Sequence, residues 1–495
     1  MLSPRSDDEM RLLEVAGQQS LIIPNSTFIA GGWLTVAQDQ CFVVYDPATS
    51  KPLAYVPDLD SRQCEHAVEA AKEARTKLAL LTAKDRRRML RKWFDLVQSA
   101  AGDLADIITG ENGKPLAEAK GEVKYASEFI DWFSGEAERF DGAVYQSSNH
   151  NSRIVTIKQP VGIVGIVTPW NFPAAMVTRK VAAALAAGCP CVIKPAPETP
   201  LSAIALTHLA HQAGFPAGSL SIVTTRRHTV EVGKVLTQHP DIRKFSFTGS
   251  TEVGKVLAAQ CTGTMKRASL ELGGNAAVIV FDDADCEKAT EGIMASKFRL
   301  SGQTCVCANR VYVHSRIYDK LAATLVTRVK QLRLGAGHDP ETTLGPLITE
   351  AAVEKVDMHV RNAVARGARV LTGGSRATKL GATFFEPTVL VDVAADSICA
   401  TEETFGPLLP LFKFEDEQEV IKLANAPSVG LAGYFFTQDI ARAWRVAEAL
   451  EVGMVINTGL ISNVASPFGG VKESGQGREV SFPAGKAIAG FFPHA

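Results

Sequence analysis

The chain of 495 residues carries no surplus of either charge, with 52 Lys and Arg against 53 Asp and Glu. A net charge of −1 supplies no field to hold nucleic acid or an anionic membrane. A basic block and an RNA-binding aromatic motif are both missing. Long apolar runs are missing too: Ala182 to Ala187 comes nearest and stops at Gly188, far short of a bilayer. The opening residues MLSPRSDDEM place three acids in a row. They fit neither an apolar secretory signal nor an acid-poor, Arg-rich mitochondrial presequence. Nine cysteines, an odd number without framework spacing, argue against a disulfide scaffold. A reducing compartment follows, and a cytoplasmic location is expected. Internal repeats and low-complexity linkers are also lacking, so the domains should pack closely.

What is present is an ordinary soluble composition, 46% hydrophobic and 21% charged, in a chain too long for one core. From about residue 160 onward, short β-rich runs alternate with helical patterns. Val161 to Val167, Cys191 to Ile193, Ser221 to Val223, Phe245 to Phe247 and Ala277 to Val280 read as strands. Helices are expected over Ala174 to Ala187, with Gly188 as a stop, and from Thr199-Pro200 onward. A second such region contains helices over Glu287 to Lys297, Tyr318 to Lys330 and Ala351 to Arg366, and a strand over Arg310 to Val313. This alternation predicts an α/β fold with parallel βαβ units. Before it lies a charged helix near Lys84 to Ala100, and 141–158 has the polar alternation of an exposed hairpin.

Two short runs carry chemistry. Gly302-Gln303-Thr304-Cys305-Val306-Cys307 sets a thiol in a small-residue loop, and Leu270-Glu271-Leu272-Gly273-Gly274-Asn275 sets a carboxylate on an apolar run. They are a candidate nucleophile and general base. A cysteine in isolation is usually a small buried hydrophobe. A carboxylate at a strand end is usually solvated. Here its apolar neighbours would bury Glu271 in part and raise its pKa toward that of a useful base. No matching Cys/His pair completes a zinc site around Cys305 and Cys307, so no metal is expected.

Phe247 to Lys255 follows a strand and opens a helix, a geometry that presents backbone N–H groups to phosphate, with Gly249 and Ser250 at the turn. It nearly spells a Walker loop, but Val256 stands where Ser or Thr must hold Mg²⁺. The turn also reads as a plain helix start capped by Ser250 or Thr251. Pro169-Trp170-Asn171-Phe172-Pro173 is a rigid turn whose Asn171 amide could donate to an oxyanion. Lys194 ends a strand where open α/β sheets bind ligands.

Taken together, Pro169 to Pro173, Lys194-Pro195, Phe247 to Gly254, Glu271 to Asn275, Gly302 to Cys305, Glu402 to Pro407 and Pro467-Phe468-Gly469-Gly470 resemble, in their order, the aldehyde dehydrogenase superfamily. The resemblance runs from about Ile29 to Arg478. Within it, Ser296-Lys297-Phe298-Arg299 leading into Gly302 to Asn309 looks like the succinate-semialdehyde dehydrogenase subfamily.

The resemblance implies a Rossmann-like cofactor domain over 22–138 and 160–272, an α/β catalytic domain over 273–480, and a small β oligomerisation region at 139–159 and 481–495. It implies Cys305 as nucleophile, Asn171 as oxyanion donor and Glu271 as base. It places Pro169, Trp170, Lys194, Gly249, Ser250, Glu403 and Phe405 at a dinucleotide, and Arg179, Arg299 and Ser462 at the distal carboxylate of an aldehyde such as succinic semialdehyde. Relatives that prefer NAD carry a Glu three places after the lysine; here that place is Pro197, with Glu198 one step later. With Arg226, Arg227 and His228 nearby, NADP is expected to be accepted beside NAD. Cys307 is a candidate redox partner for Cys305, although a separation of two residues strains disulfide geometry. The tail is short and lacks the superfamily's usual Tyr/Glu-containing terminal strand, so the expected homo-oligomer is a dimer or a tetramer. Glutarate semialdehyde or a general aliphatic aldehyde is the alternative substrate. A P-loop-like nucleotidase and a non-catalytic structural protein are the alternatives of a different class.

Overall fold

The computed structural model describes residues 21–480 and the strand Ala487–Ala489. The fold is α/β, as the alternation of short apolar strands and helices predicts. Two sheets dominate it. The first contains, in spatial order, Gly475–Gln476, Arg267–Glu271, Ile242–Thr248, Ile163–Val167, Cys191–Lys194 and Leu220–Ile222. The last five run parallel, and Gly475–Gln476 is an antiparallel edge. Ile163–Val167 and Cys191–Lys194 are apolar almost throughout and mostly buried, which suits strands covered on both faces.

The chain runs outward from Ile163–Val167 through Cys191–Lys194 to Leu220–Ile222. It then returns to lay Ile242–Thr248 and Arg267–Glu271 on the other side. Strand order therefore reverses between Ile163–Val167 and Ile242–Thr248. Open α/β sheets bind ligands outside the carboxyl ends of the strands at such a reversal. Four adjacent strands deliver their carboxyl ends there, leading into Pro169, Lys194, Gly249 and Glu271.

The second sheet has eight strands, with Ala276–Val280 and Ala308–His314 at its centre and Leu408–Phe414 beside them. All its strands are parallel except Arg369–Thr372 at one edge. The chain passes from Glu271 through four residues into Ala276–Val280. The carboxyl edge of the first sheet thus faces the amino edge of the second. Cys305 lies just before Ala308–His314, and Glu403 and Phe405 just before Leu408–Phe414.

Helix starts follow their caps. Thr82 and Asp85 form a capping box for Ala83–Ser99, and Asp285 accepts two backbone N–H groups at the start of Cys286–Phe298. Ala175–Ala186 is followed by Gly188 at φ 77°, a left-handed stop that glycine adopts freely.

The expected hairpin is Ala143–Gln146 paired with Arg153–Thr156, and Val144, Tyr145, Ile154 and Val155 on it are exposed. In the tail, Ala487–Ala489 pairs with Met454–Ile456 at the edge of the eight-stranded sheet. The rest of 481–495 lies outside the described residues.

Candidate active site

A cavity of about 330 Å³ opens where the two sheets meet. Pro169, Trp170, Asn171, Arg179, Gly249, Ser250, Arg299, Cys305, Glu403, Phe405 and Ser462 all lie on its wall. Lys194, Glu271 and Cys307 do not.

Cys305 is reached from the cavity, and its backbone N–H donates to no acceptor among the described residues. The protein packed around the sulfur pushes the thiol up to about 12, chiefly through burial and secondarily through the Glu403 charge; Arg179 pulls the other way. The resting sulfur is therefore a neutral thiol.

The loop that carries it begins with three successive left-handed residues, Leu300 at φ 51°, Ser301 at φ 53° and Gly302 at φ 78°. For Leu300 and Ser301 this costs about 1–2 kcal/mol each. Local bonds hold the turn. Leu300 N–H donates to Glu118 Oε2 at 2.9 Å, and Ser301 Oγ donates to Gly345 O at 2.6 Å. Position 302 must be glycine because a Cβ there would meet Gly406 O at 2.2 Å.

Asn171 is buried, and its Nδ2 donates to Gln303 O at 3.0 Å, tying the amide to the loop of Cys305. Behind it stands an ion pair that sequence reading missed. Lys114 Nζ contacts Glu122 Oε2 in a fully buried pair and donates to Asn171 O at 2.9 Å. Glu122 Oε1 accepts from Ala174 N at 2.9 Å, at the start of the helix that carries Arg179. Lys114, Glu118 and Glu122 are spaced by four residues, a signal that on sequence alone resembles any solvated helix face.

Glu271 is buried, and neither carboxylate oxygen has a hydrogen-bond partner among the described residues. Burial first and the Glu479 charge second raise it well above the ordinary carboxylate range. Glu479, another residue missed from sequence, contacts Lys180 Nζ and lies 3.0 Å from Arg179 Nε. Against its own burial, those two cations hold it below the usual value.

Arg179 is thus partly neutralised, and its guanidinium stacks 4.2 Å from the Phe468 ring centroid. Arg299 differs. It lies 5.1 Å from the Phe172 ring centroid and has no carboxylate within ion-pair distance among the described residues.

At the other end, Ser250 caps Thr251–Thr262, and Gly249 passes so close to the Phe247 ring that a Cβ would lie 2.4 Å away. Among the described residues Thr248 Oγ1 has no partner, and Glu403 Oε1 accepts from Gly274 N at 3.2 Å while its other oxygen accepts from none. Burial pushes Glu403 up to about 7. The rings of Trp170 and Phe405 meet edge to face at 5.6 Å. Lys194 is buried, and burial lowers its ammonium to about 8. A helix N-terminus, close backbone, spare oxygens and an aromatic edge are a donor set that fits a dinucleotide. The near-Walker run does not form a phosphate loop: Lys255 pairs with Glu473 at 2.7 Å and Val256 is exposed.

Cys307 turns away from the cavity, with Sγ 3.4 Å from the buried Lys297 Nζ. The exposed Glu69 and the half-buried His239 and Asp241 lie close enough together to hold a cation, but Lys72 Nζ already lies 3.1 Å from both Glu69 and Asp241.

The description "Aldehyde dehydrogenase family" fits residues 33–488. The NADP(+) succinate-semialdehyde dehydrogenase 1 of Schizosaccharomyces pombe is 55% identical over 459 residues, covering 92% of this chain and 92% of its own. A glutarate-semialdehyde dehydrogenase of Pseudomonas putida is 52% identical over 455 residues, 92% of this chain and 94% of its own. The solved succinate-semialdehyde dehydrogenase of Burkholderia pseudomallei superposes with a TM-score of 0.91 at 52% identity, covering 94% of this chain and 95% of that one.

Proposed function

The chain belongs to the aldehyde dehydrogenase family, and from that premise we propose that it oxidises succinic semialdehyde to succinate, preferentially with NADP. It is an NAD(P)-dependent oxidoreductase. The substrate reading rests on one observation: a guanidinium without an ion-pair partner among the described residues, Arg299, shares a cavity wall with Cys305. An aldehyde with a distal carboxylate matches that arrangement.

Cys305 loses its thiol proton to solvent, and Sγ adds to the aldehyde carbon as the thiolate. Asn171 Nδ2–H and Cys305 N–H receive the developing oxyanion; losing one such donor costs about 3–4 kcal/mol of barrier. A nicotinamide dinucleotide held by Trp170, Gly249, Ser250, Glu403 and Phe405 would supply the acceptor for the hydride of that carbon. Glu271, kept basic enough by its burial, takes the proton of the water that releases the acid from sulfur. Arg299, assisted by Ser462 and the free edge of Arg179, holds the distal carboxylate and so fixes the carbonyl over the sulfur.

The NADP preference is supported at the adenosine end. Pro197 replaces a carboxylate that would repel a 2′-phosphate, and Arg226 Nη2 lies 3.4 Å from Pro197 O. Arg227 is committed to Asp58 at 2.7 Å, so Arg226 is the cation for that phosphate. The glutarate-semialdehyde dehydrogenase relative supports a second substrate one methylene longer, a change worth only about 1–3 kcal/mol. The exposed apolar hairpin at 143–156 supports assembly with further copies of the chain. Nine free thiols support a cytoplasmic location.

The test is a spectrophotometric panel of succinic, glutaric and uncharged aldehydes with NAD and NADP, run on the parent, Cys305→Ala and Arg299→Ala. The carboxylated aldehydes should lead in the parent. Arg299→Ala should lose them selectively, and Cys305→Ala should lose everything. Equal losses on charged and uncharged aldehydes in Arg299→Ala would refute the carboxylate assignment.

A further inference from the structure

The helix Leu116–Glu136 does more than cover the first sheet. From Lys114, just ahead of it, to Glu122, three charged residues spaced by four meet Asn171 on the cavity wall, the start of the helix that carries Arg179, and the residue after Arg299. Lys114 donates to Asn171 O, and Glu122 receives the N–H groups of Ala174 and Ala175. Glu118 Oε2 receives the N–H of Leu300 at 2.9 Å. Two of these contacts set the oxyanion side. The third touches the residue next to Arg299.

Leu300 is 1% exposed, so its N–H has no water to turn to if Glu118 is removed. It is also one of two successive non-glycine residues in the left-handed region, where the backbone stays only if its surroundings over-determine it. Arg299 immediately precedes this turn, and its guanidinium lies over Phe172 at the cavity wall. Glu118 and Arg299 feel each other's charge but form no ion pair among the described residues, so the one bond that Glu118 makes toward this loop goes to the Leu300 backbone. Glu118 therefore acts through the backbone.

We propose that Glu118 is the positioning residue for substrate selectivity: by accepting the Leu300 N–H it fixes the left-handed turn that directs Arg299 at the distal carboxylate. This rests on the reading of Arg299 given above. The partial burial of Glu118, which raises its carboxyl above the usual range, is consistent with a group held in place for its acceptor oxygen. A solvated helix-face glutamate would have no such constraint.

The experiment compares kcat/KM for succinic semialdehyde and for butanal in the parent, Arg299→Ala, Glu118→Ala, Glu118→Asp and Glu118→Gln, with NADP saturating. Glu118→Ala should lower kcat/KM for succinic semialdehyde about tenfold more than for butanal, with the difference in KM rather than kcat. Glu118→Asp keeps the charge but draws the oxygen back by one methylene, so it should fail in the same direction while disturbing the fold least. Glu118→Gln keeps a carbonyl acceptor at full length and should restore most of the selectivity. If Arg299→Ala loses selectivity while Glu118→Ala and Glu118→Asp retain it, the positioning role is wrong and the Arg299 reading stands. If Arg299→Ala itself retains selectivity, the reading of Arg299 falls and the role of Glu118 falls with it. A drop of the same size on both aldehydes in Glu118→Asp, with kcat moving and KM fixed, overturns the proposal as a merely structural effect.

Discussion

Iodoacetamide should find Cys305 a poor nucleophile in the ligand-free enzyme. Burial and the Glu403 charge push this thiol up to about 12. At about pH 7.5 the thiolate fraction is then about 3 in 100,000, against about 1 in 10 for an ordinary cysteine near 8.5, a deficit of about 3,000-fold. A more basic thiolate is intrinsically more reactive, and a Brønsted slope near 0.4–0.5 recovers about 30–50-fold. The net expectation is alkylation about a hundredfold slower than free cysteine. The logarithm of the rate should climb with pH at unit slope, without levelling below about pH 10. Peptide mapping by mass spectrometry reads Cys305 separately from Cys41 and Cys286, the other partly exposed thiols, which serve as internal references. Adding NADP⁺ brings a positive charge to the site and should raise the Cys305 rate at neutral pH. A rate within a few-fold of free cysteine, or a plateau below about pH 9 without cofactor, would show that the cavity stabilises the thiolate by itself and would refute the electrostatic argument.

Three further outcomes follow from the same geometry. Glu271→Gln should cut steady-state turnover by about a hundredfold or more while the first turnover still yields a burst of reduced cofactor. In the parent, the Glu271-dependent step should fade as pH falls through the raised carboxyl pKa, because the base is lost on protonation; a burst that falls in step with turnover would remove Glu271 from the release of product. Arg226→Ala should lower kcat/KM for NADP about tenfold and leave NAD nearly unchanged, measured by initial rates; unchanged discrimination would mean the 2′-phosphate is met elsewhere. Lys114→Met leaves Glu122 buried without its cation and should cost about 3–5 kcal/mol, read as a fall in chemical-denaturation midpoint. A Lys114→Met, Glu122→Leu double variant should recover part of that loss, since the uncompensated charge goes with it.

Reading from sequence succeeded where the physics is local. Ile163–Val167 is a strand because its apolar run tolerates burial on both faces. Ala175–Ala186 ends where Gly188 can turn left-handed, and Ser250 starts a helix by accepting Val253 N–H. The turn at Pro169 to Pro173 and the loop at Gly302 to Cys305 stood out because few residue types suit their backbones. The pattern missed was of a different kind. Lys114, Glu118 and Glu122 look like a solvated helix face, and Glu479 like an ordinary surface acid. Their meaning depends on what packs against them from residues 57, 182, 52 and 299 positions away.

The amino-acid order alone indicated the α/β class and offered Cys305, Glu271 and Asn171 as candidates, because each stands in a short run whose role the family resemblance implies. Only the tertiary structure decided that Glu271 is buried without a hydrogen-bond partner among the described residues and raised, and that burial pushes the Cys305 thiol up. The same holds for the charge left free on Arg299 while Arg179 shares its own with Glu479, and for Cys307 facing Lys297 rather than the cavity. Charge state and orientation are set by desolvation and by neighbours brought together through space, and no short run of sequence contains either.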